Sequence, residues 1–311
     1  MEKLVTSEVK LGIIAGGQLG KMLVLAASNW NVKTYVLDKD DHCPASSSCT
    51  FLFKGDQLNY DDVYRFGQLV DVLTLELENV NIDALKKLKQ EGKRIYPDPD
   101  KLEIIQDKGL QKQFYEKIKV SSSSFSLFNN KQEIISAFEL GKLQLPFVQK
   151  LRKGGYDGRG VAIIHSKDDL EKLLDGASEI EELIDISKEI SAIVAGNKRG
   201  EGRCHPTVEM EFNPQANLVE KLICPSTLNK ETEEEAENIA IKIITELDLC
   251  GLLAVEMFVD KNQKIWVNEI APRPHNSGHH TIESAITSQF EQLLRAIFNL
   301  PLGSTKLKMS A

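Results

Sequence analysis

Apolar runs of strand length alternate with stretches of helical spacing along the first third of the chain. Val9 to Ala15 is a buried-strand run that enters Gly16-Gly17-Gln18-Leu19-Gly20, after which KMLVLAASNW carries apolar positions at helical intervals. Lys33 to Leu37 is a second strand and ends at Asp38. Val70 to Leu77 is another, finishing on Glu76-Leu77-Glu78-Asn79, and a helix from Asn81 to Glu91 follows. This order predicts an α/β domain with a doubly wound parallel sheet over residues 1–99, closed by the prolines of Tyr96-Pro97-Asp98-Pro99.

The pattern then changes toward α+β. A single helix is expected over Asp100 to Lys119, then a polar connector, Ser121 to Ser124, and a lysine-bearing strand, Pro146 to Leu151. Arg152-Lys153-Gly154-Gly155-Tyr156-Asp157-Gly158-Arg159-Gly160 precedes the strand Val161 to Ile164. Its glycines and cations describe either a mobile flap able to close over phosphates or a flexible hairpin tip. It is not a Walker A loop. Ile180 to Ile190 mixes acids into a strand-like pattern, as beside an adenosine pocket. Val208 to Phe212 and Leu218 to Ile223 read as strands, Glu231 to Leu247 as an acidic helix, and Phe290 to Leu300 as an apolar helix suited to an interface or to a core.

Leu252 to Val259 and Lys264 to Ile270 flank Asp260-Lys261-Asn262-Gln263 and predict a tight antiparallel hairpin. A turn centred between Asn262 and Gln263 sets Glu256 directly opposite Glu269, with Cβ atoms roughly 4.5–5.5 Å apart, where like charges repel. Ala254, Phe258, Ile265 and Val267 are expected on the same face, making it apolar, so a cation between the carboxylates is expected. Mg²⁺, usually held by one or two carboxylates plus substrate phosphates, points to a nucleoside triphosphate. Asn268 adds a neutral oxygen to that strand end. The alternative is a hairpin whose glutamates face solvent.

The glycine turn leaves three readings open: a structural βα turn, a phosphate or sugar contact at a helix N-terminus, or a dinucleotide site with Asp38 on the ribose. Ala15 stands where the first glycine of G-x-G-x-x-G belongs, which weakens the last. Glu76 and Glu78 could hold ribose hydroxyls or an amine, or simply begin a loop. His42, His165 and His205 are isolated and read as surface or structural. His275, His279 and His280 could be a zinc site, but Pro272, Pro274 and Gly278 argue against the helical spacing such sites use.

Net charge of −8 and a pI near 5.4 argue against nucleic acid or an anionic membrane as partner, so an anionic ligand must be met by local cations. Five cysteines without C-x-x-C spacing read as free thiols in a reducing compartment. No apolar run approaches the roughly 20 residues of a membrane span, and the first residues lack a secretory cleavage pattern. A cytoplasmic protein is the expectation.

The order of glycine turn, lysine-bearing flap, acidic linker and paired glutamates resembles the ATP-grasp superfamily. Within it, YPDPDKLEIIQDK, GGYDGRG, VNEIAPRPHNSGHHTIESAITSQFEQLLRAI and LPLG are similar to the N5-carboxyaminoimidazole ribonucleotide synthetase family, over about Leu11 to Gly303. The resemblance implies an ATP- and bicarbonate-dependent carboxylation of 5-aminoimidazole ribonucleotide through carboxyphosphate, with Mg²⁺ or Mn²⁺, in a homodimer. It implies a lid domain at 100–177 and a C-terminal domain at 178–311. The family's last segment, whose lysine and arginines grip the ribonucleotide phosphate, is not in the sequence.

By the same resemblance, Lys108 and Lys150 would hold ATP phosphates and Gly155, Tyr156, Asp157, Gly158, Arg159, Gly160 and Val161 would form the flap. Glu181, Glu182, Leu183 and Ile184 would line the adenine and Glu189 the ribose. Asn268 and Glu269 would lie beside ATP, with Glu256 and Glu269 on the metal. Gly17, Gln18, Leu19 and Glu76 would face the ribonucleotide, and Tyr156, Asp157, Arg273, His275 and Asn276 would surround bicarbonate and the amine. Met210 and Phe212 replace the asparagine and histidine of an E-N-x-H segment near ATP, and Ala15 a glycine of G-G-G-Q-L-G. A sibling ATP-grasp ligase, formate-using or biotin carboxylase-like, and a nucleotide-binding homologue without turnover are the alternatives.

Overall fold

The computed structural model describes residues 8–154, 160–213 and 218–310. The N-terminal unit runs β1 (Lys10–Ile14), α1 (Gln18–Ser28), β2 (Lys33–Asp38), β3 (Phe51–Lys54), α2 (Tyr60–Gln68), β4 (Val72–Leu75), α3 (Ile82–Gln90) and β5 (Arg94–Ile95). Its strands pair in parallel in the order β3-β2-β1-β4-β5, as the alternation of strands and helices predicts. Strand order reverses between β1 and β4. Gly16, Gly17, Glu76 and Glu78 follow the carboxyl ends of those two strands, where open α/β sheets form a ligand crevice.

The expected single helix over 100–119 is two, α4 (Pro99–Gln106) and α5 (Lys108–Lys117). The break is Asp107, whose backbone is extended (φ −117°, ψ 108°) while its carboxylate accepts from the amides of Gly109 and Leu110 and pairs with Arg152 at 2.8 Å. An aspartate that caps a new helix ends the old one, and Lys108 is thereby placed at a helix start facing inward.

Next come β6 (Phe125–Phe128), α6 (Lys131–Glu139), β7 (Phe147–Leu151), β8 (Val161–Ile164) and β9 (Ser178–Glu182), forming the antiparallel sheet β6-β9-β7-β8. The remainder is β10 (Ile186–Gly196), β11 (Gly202–Cys204), β12 (Val208–Asn213), β13 (Leu218–Ile223), α7 (Lys230–Glu246), β14 (Gly251–Asp260), β15 (Ile265–Ala271), α8 (Thr281–Ser284) and α9 (Gln289–Ile297). Its sheet runs β13-β12-β10-β14-β15, with β11 on β10. The strand-like segment 180–190 is thus divided: β9 belongs to one sheet, β10 to the other, and residues 183–185 join them.

The hairpin β14/β15 sets Glu256 opposite Glu269, as expected, but a bulge between that pair and Met257/Val267 makes Asn268 an extra residue. Beyond the bulge, alternation is inverted. Ile265 and Val267 therefore do not share the glutamates' face; they lie with Met257 and Val259 in the core against α5 and α7, while Phe258 and Trp266 stay on the glutamate side. Phe290, Leu293, Leu294 and Ile297 of α9 are buried with Leu19, Leu23 and Ala27 of α1, so this helix is core, joining the N-terminal sheet to β10 and β14.

Candidate functional site

At the switch point, Glu76 is 6% exposed and lies across the start of α1. A Cβ on Gly17 would sit 2.3 Å from its Oε1, and one on Gly20 2.6 Å from its Oε2. Only glycine admits this approach. Burial pushes the carboxyl up, and the amides of Gly17, Gly20 and Leu19 offset part of the rise. The Glu76 carboxylate thus lies at the helix N-terminus, where one of the three readings of the turn sets a phosphate or sugar. Gln18 is exposed, whereas the Leu19 side chain is in the core. Asp38 accepts from the amides of Gly16 and Asp40 at 2.8 and 2.9 Å, so it shapes the turn instead of standing ready for a ribose.

Lys108, Lys150, Asn268 and Glu269 come together where β7, α5 and the hairpin meet. Lys108 pairs with Glu269, and Lys150 donates to Asn268 Oδ1 at 2.7 Å. Burial would raise the Glu269 carboxyl, but the charge and hydrogen bond of Lys108 hold it at about 2. Glu256 accepts from His275 Nε2 at 3.1 Å. The His275 Nδ1 receives the Ser277 amide at 3.3 Å and lies 2.9 Å from Ser277 Oγ, which is 2.8 Å from Ser191 Oγ. An amide donating to Nδ1 leaves the proton on Nε2, facing Glu256.

Three residues given no role from sequence complete a buried network. Lys112, 1% exposed, reaches Glu181 at 3.0 Å and Ser123 Oγ at 2.8 Å, and Ser123 Oγ donates to Glu181 at 2.9 Å. Lys150 also pairs with Glu181, at 3.1 Å. Glu179 lies directly across from Lys150 on β9, two residues from Glu181 on the same strand. Burial and the Glu181 charge push Glu179 up to about 8, while for Glu181 the two lysines overcome burial and draw its carboxyl well below the ordinary range. The Glu181 carboxylate is therefore engaged by the two lysines and Ser123, while its peptide group keeps to β9. The signals in sequence were the four-residue spacing of Lys108 and Lys112 on α5 and the two-residue spacing of Glu179 and Glu181 facing Lys150. The serine run, read as a plain connector, supplies Ser123 to this network and Ser124 to Glu182 at 3.0 Å.

The remaining assignments fall as follows. Leu183 and Ile184 are half-buried in the β9–β10 link, and half-buried Glu189 is pushed to about 7 by burial and by Glu256. Phe212 packs against Val208, Met210 and Cys224, an apolar environment that a histidine would fill poorly. Gly160 has φ 82° and its carbonyl accepts from Leu151, and Val161 lies opposite Lys150. Gly155, Tyr156, Asp157, Gly158 and Arg159 lie outside the described residues. Asn276 meets His279 at 3.2 Å, and His280 meets Ser284 at 2.8 Å. His275, His279 and His280 thus turn to separate partners, and among the described residues no three groups of metal-ligating type converge, against the zinc reading. Arg273 pairs with Glu78, so the end of β4 and the segment after β15 meet across one ion pair. Burial raises the Glu78 carboxyl and Arg273 more than reverses it. Among the described residues no helix is long and apolar enough to cross a membrane.

Two family models match the chain: the ribonucleotide synthetase preATP-grasp domain over residues 9–106 and the ATP-grasp domain over 113–290. A chloroplastic phosphoribosylaminoimidazole carboxylase from Vigna aconitifolia is 36% identical over 98% of this chain and 54% of its own length. An N5-carboxyaminoimidazole ribonucleotide synthase from Bacillus subtilis is 34% identical over 96% of this chain and 78% of its own. The chain therefore spans about half the length of the plant relative and most of the bacterial one. Among solved structures, the synthetase from Thermotoga maritima aligns with a TM-score of 0.88 and 39% identity, over 97% of this chain and 79% of that one. The Aspergillus clavatus synthase, solved with ADP and 5-aminoimidazole ribonucleotide, aligns with a TM-score of 0.88 and 30% identity, over 98% of this chain and 81% of that one. The chain belongs to the ATP-grasp superfamily, in the N5-carboxyaminoimidazole ribonucleotide synthase family.

Proposed function

We propose that the chain carboxylates 5-aminoimidazole ribonucleotide at its exocyclic amine, using ATP and bicarbonate. The observation that carries this reading is the convergence of Lys108, Lys150, Asn268, Glu269, Glu256, His275 and Arg273 around one hairpin end, facing the crevice that holds Glu76. Lys108 and Lys150, each fixed by a carboxylate partner, would orient the triphosphate for attack by a bicarbonate oxygen at the γ-phosphorus. ADP leaves and carboxyphosphate forms. The amine nitrogen then attacks the carboxyl carbon, or the CO₂ released from it; phosphate departs, and loss of an amine proton leaves the carbamate. Arg273, with His275 and Asn276 beside it, would hold the bicarbonate; Gln18 and Glu76 would meet the ribonucleotide, and Glu189 the ribose of ATP.

Glu256 and Glu269 fit a divalent ion: they are in opposed register, Glu269 already meets Lys108 and Glu256 the His275 N–H, and with Asn268 they form an all-oxygen donor set that suits Mg²⁺ or Mn²⁺. Bound there, such an ion would neutralise charge on the phosphoryl oxygens. The chain's own contribution is position and electrostatics.

The test is ADP release with bicarbonate, with and without aminoimidazole ribonucleotide, and with formate in its place. Release that needs both bicarbonate and the ribonucleotide is expected. Release with formate, or ADP binding without release, would overturn the proposal.

A further inference from the structure

Arg273 is held in an unusual way for a residue facing an anion. Its Nε and Nη2 both donate to the Glu78 carboxylate, the second at 3.3 Å, and Nη1 donates to the Pro274 carbonyl at 3.1 Å. A guanidinium has five N–H donors in a rigid plane. Glu78 takes its side-on fork, so the two donors left without a partner among the described residues are one on each Nη. Glu78 itself is fixed: its carbonyl accepts from Gln106 Nε2 at 2.6 Å and from the Val80 amide at 3.0 Å. The plane of Arg273 is therefore set by a carboxylate anchored in the other sheet's crevice.

We infer that Glu78 is the positioning residue for Arg273, fixing the guanidinium plane so that its remaining N–H pair is presented to bicarbonate. The inference rests on the carboxylation proposed above and deepens its bicarbonate site. Glu78 acts only through the arginine, and Glu78→Gln, which keeps the shape but loses the two-oxygen acceptor, lets the fork turn. A planar anion then meets a misdirected donor pair, and a misplacement of about 1 Å is enough to slow a reaction by as much as a hundredfold.

The test measures steady-state initial rates of ADP formation, with bicarbonate varied at saturating ATP and aminoimidazole ribonucleotide, in wild type, Glu78→Gln, Arg273→Lys and the double variant. Arg273→Lys keeps a charge and removes the fork. The expected result is a fall of about tenfold or more in kcat/KM for bicarbonate in each single variant, less than about twofold further loss in the double, and unchanged ADP affinity by calorimetry. Three results would overturn it: a Glu78→Gln variant equal to wild type, losses that multiply in the double variant, or a Glu78→Gln variant that unfolds or loses ADP affinity. The last would make the pair a tie between sheets. Wild type that forms no ADP in a bicarbonate- and ribonucleotide-dependent way would instead remove the proposed function.

Discussion

Glu179→Gln should change how stability depends on pH. Glu179 is 1% exposed, and burial together with the Glu181 charge raises its carboxyl from 4.5 to about 8. Because its folded value lies above its unfolded one, the folded state keeps a proton that the unfolded chain has already released. The associated stability is complete below about pH 4.5 and is lost as pH rises toward 8, at about 1.4 kcal/mol per pH unit. Over the whole window that amounts to roughly 5 kcal/mol, a large share of the about 5–15 kcal/mol that a folded protein has. A glutamine keeps the size and neutrality of the protonated glutamate, but it has no proton to lose. Urea melts at several pH values from 5 to 8.5 test this. The variant should match wild type near pH 5 and gain on it by on the order of 1 kcal/mol for each further pH unit. Parallel slopes in the two proteins would refute the raised Glu179 carboxyl, because Glu181, whose carboxyl is drawn down by Lys150 and Lys112, loses its stabilisation in acid and contributes no slope in this window.

Lys112→Met removes one of the two lysines on Glu181 and should cost about 3 kcal/mol in the same melts at pH 7; a cost below about 1 would mean that Lys150 and Ser123 suffice. Glu269→Gln should lower ADP release about a hundredfold or more while the melt stays cooperative, and turnover near wild type would remove Glu269 from the phosphate site. Gly17→Ala drives a Cβ into the Glu76 carboxylate and should raise KM for the aminoimidazole ribonucleotide about tenfold without changing ADP affinity; an unchanged KM would detach Glu76 from that substrate. Chelation of divalent ions should weaken ADP binding at least about tenfold in calorimetry, and an unchanged affinity would count against an ion at Glu256 and Glu269.

The elements were legible wherever one period persisted. The alternation of β1, α1, β2, β4 and α3 follows from apolar runs and glycine punctuation alone, and the Glu256–Glu269 register from a short turn. What was illegible depended on single residues whose effect is tertiary. Asp107 reads as one more polar position in a helix until Arg152, just past the end of β7, fixes its carboxylate and lets it cap α5. Asn268 reads as a ligand beside Glu269, but as the bulged residue it also inverts the strand, which is why Ile265 and Val267 were assigned to the wrong face. Ser123 and Lys112 carry no pattern because their partner, Glu181, lies on another element. The resemblance implies roles for Lys108 and Lys150, but it does not say which carboxylate each cation meets.

Those pairings bear on how a chain of net charge −8 could take a triphosphate. Lys108 meets Glu269, Lys150 meets Glu181, Arg152 meets Asp107 and Arg273 meets Glu78. A cation paired with a carboxylate adds little field at long range, so these residues draw no anion from solution by charge. Their value is directional. Each head group is held by a partner that is itself hydrogen-bonded or built into a strand, and a pre-placed donor loses less conformational entropy when an anion arrives than a free surface lysine does. The same pairing makes the cations poor receptors for a naked polyphosphate, since each carboxylate repels it. On the proposed function, a divalent ion held by Glu256 and Glu269 would offset that repulsion beside the phosphoryl oxygens. On the same proposal, the acidic balance of the sequence and the carboxylates facing its lysines would favour a metal-bound nucleotide over a naked one.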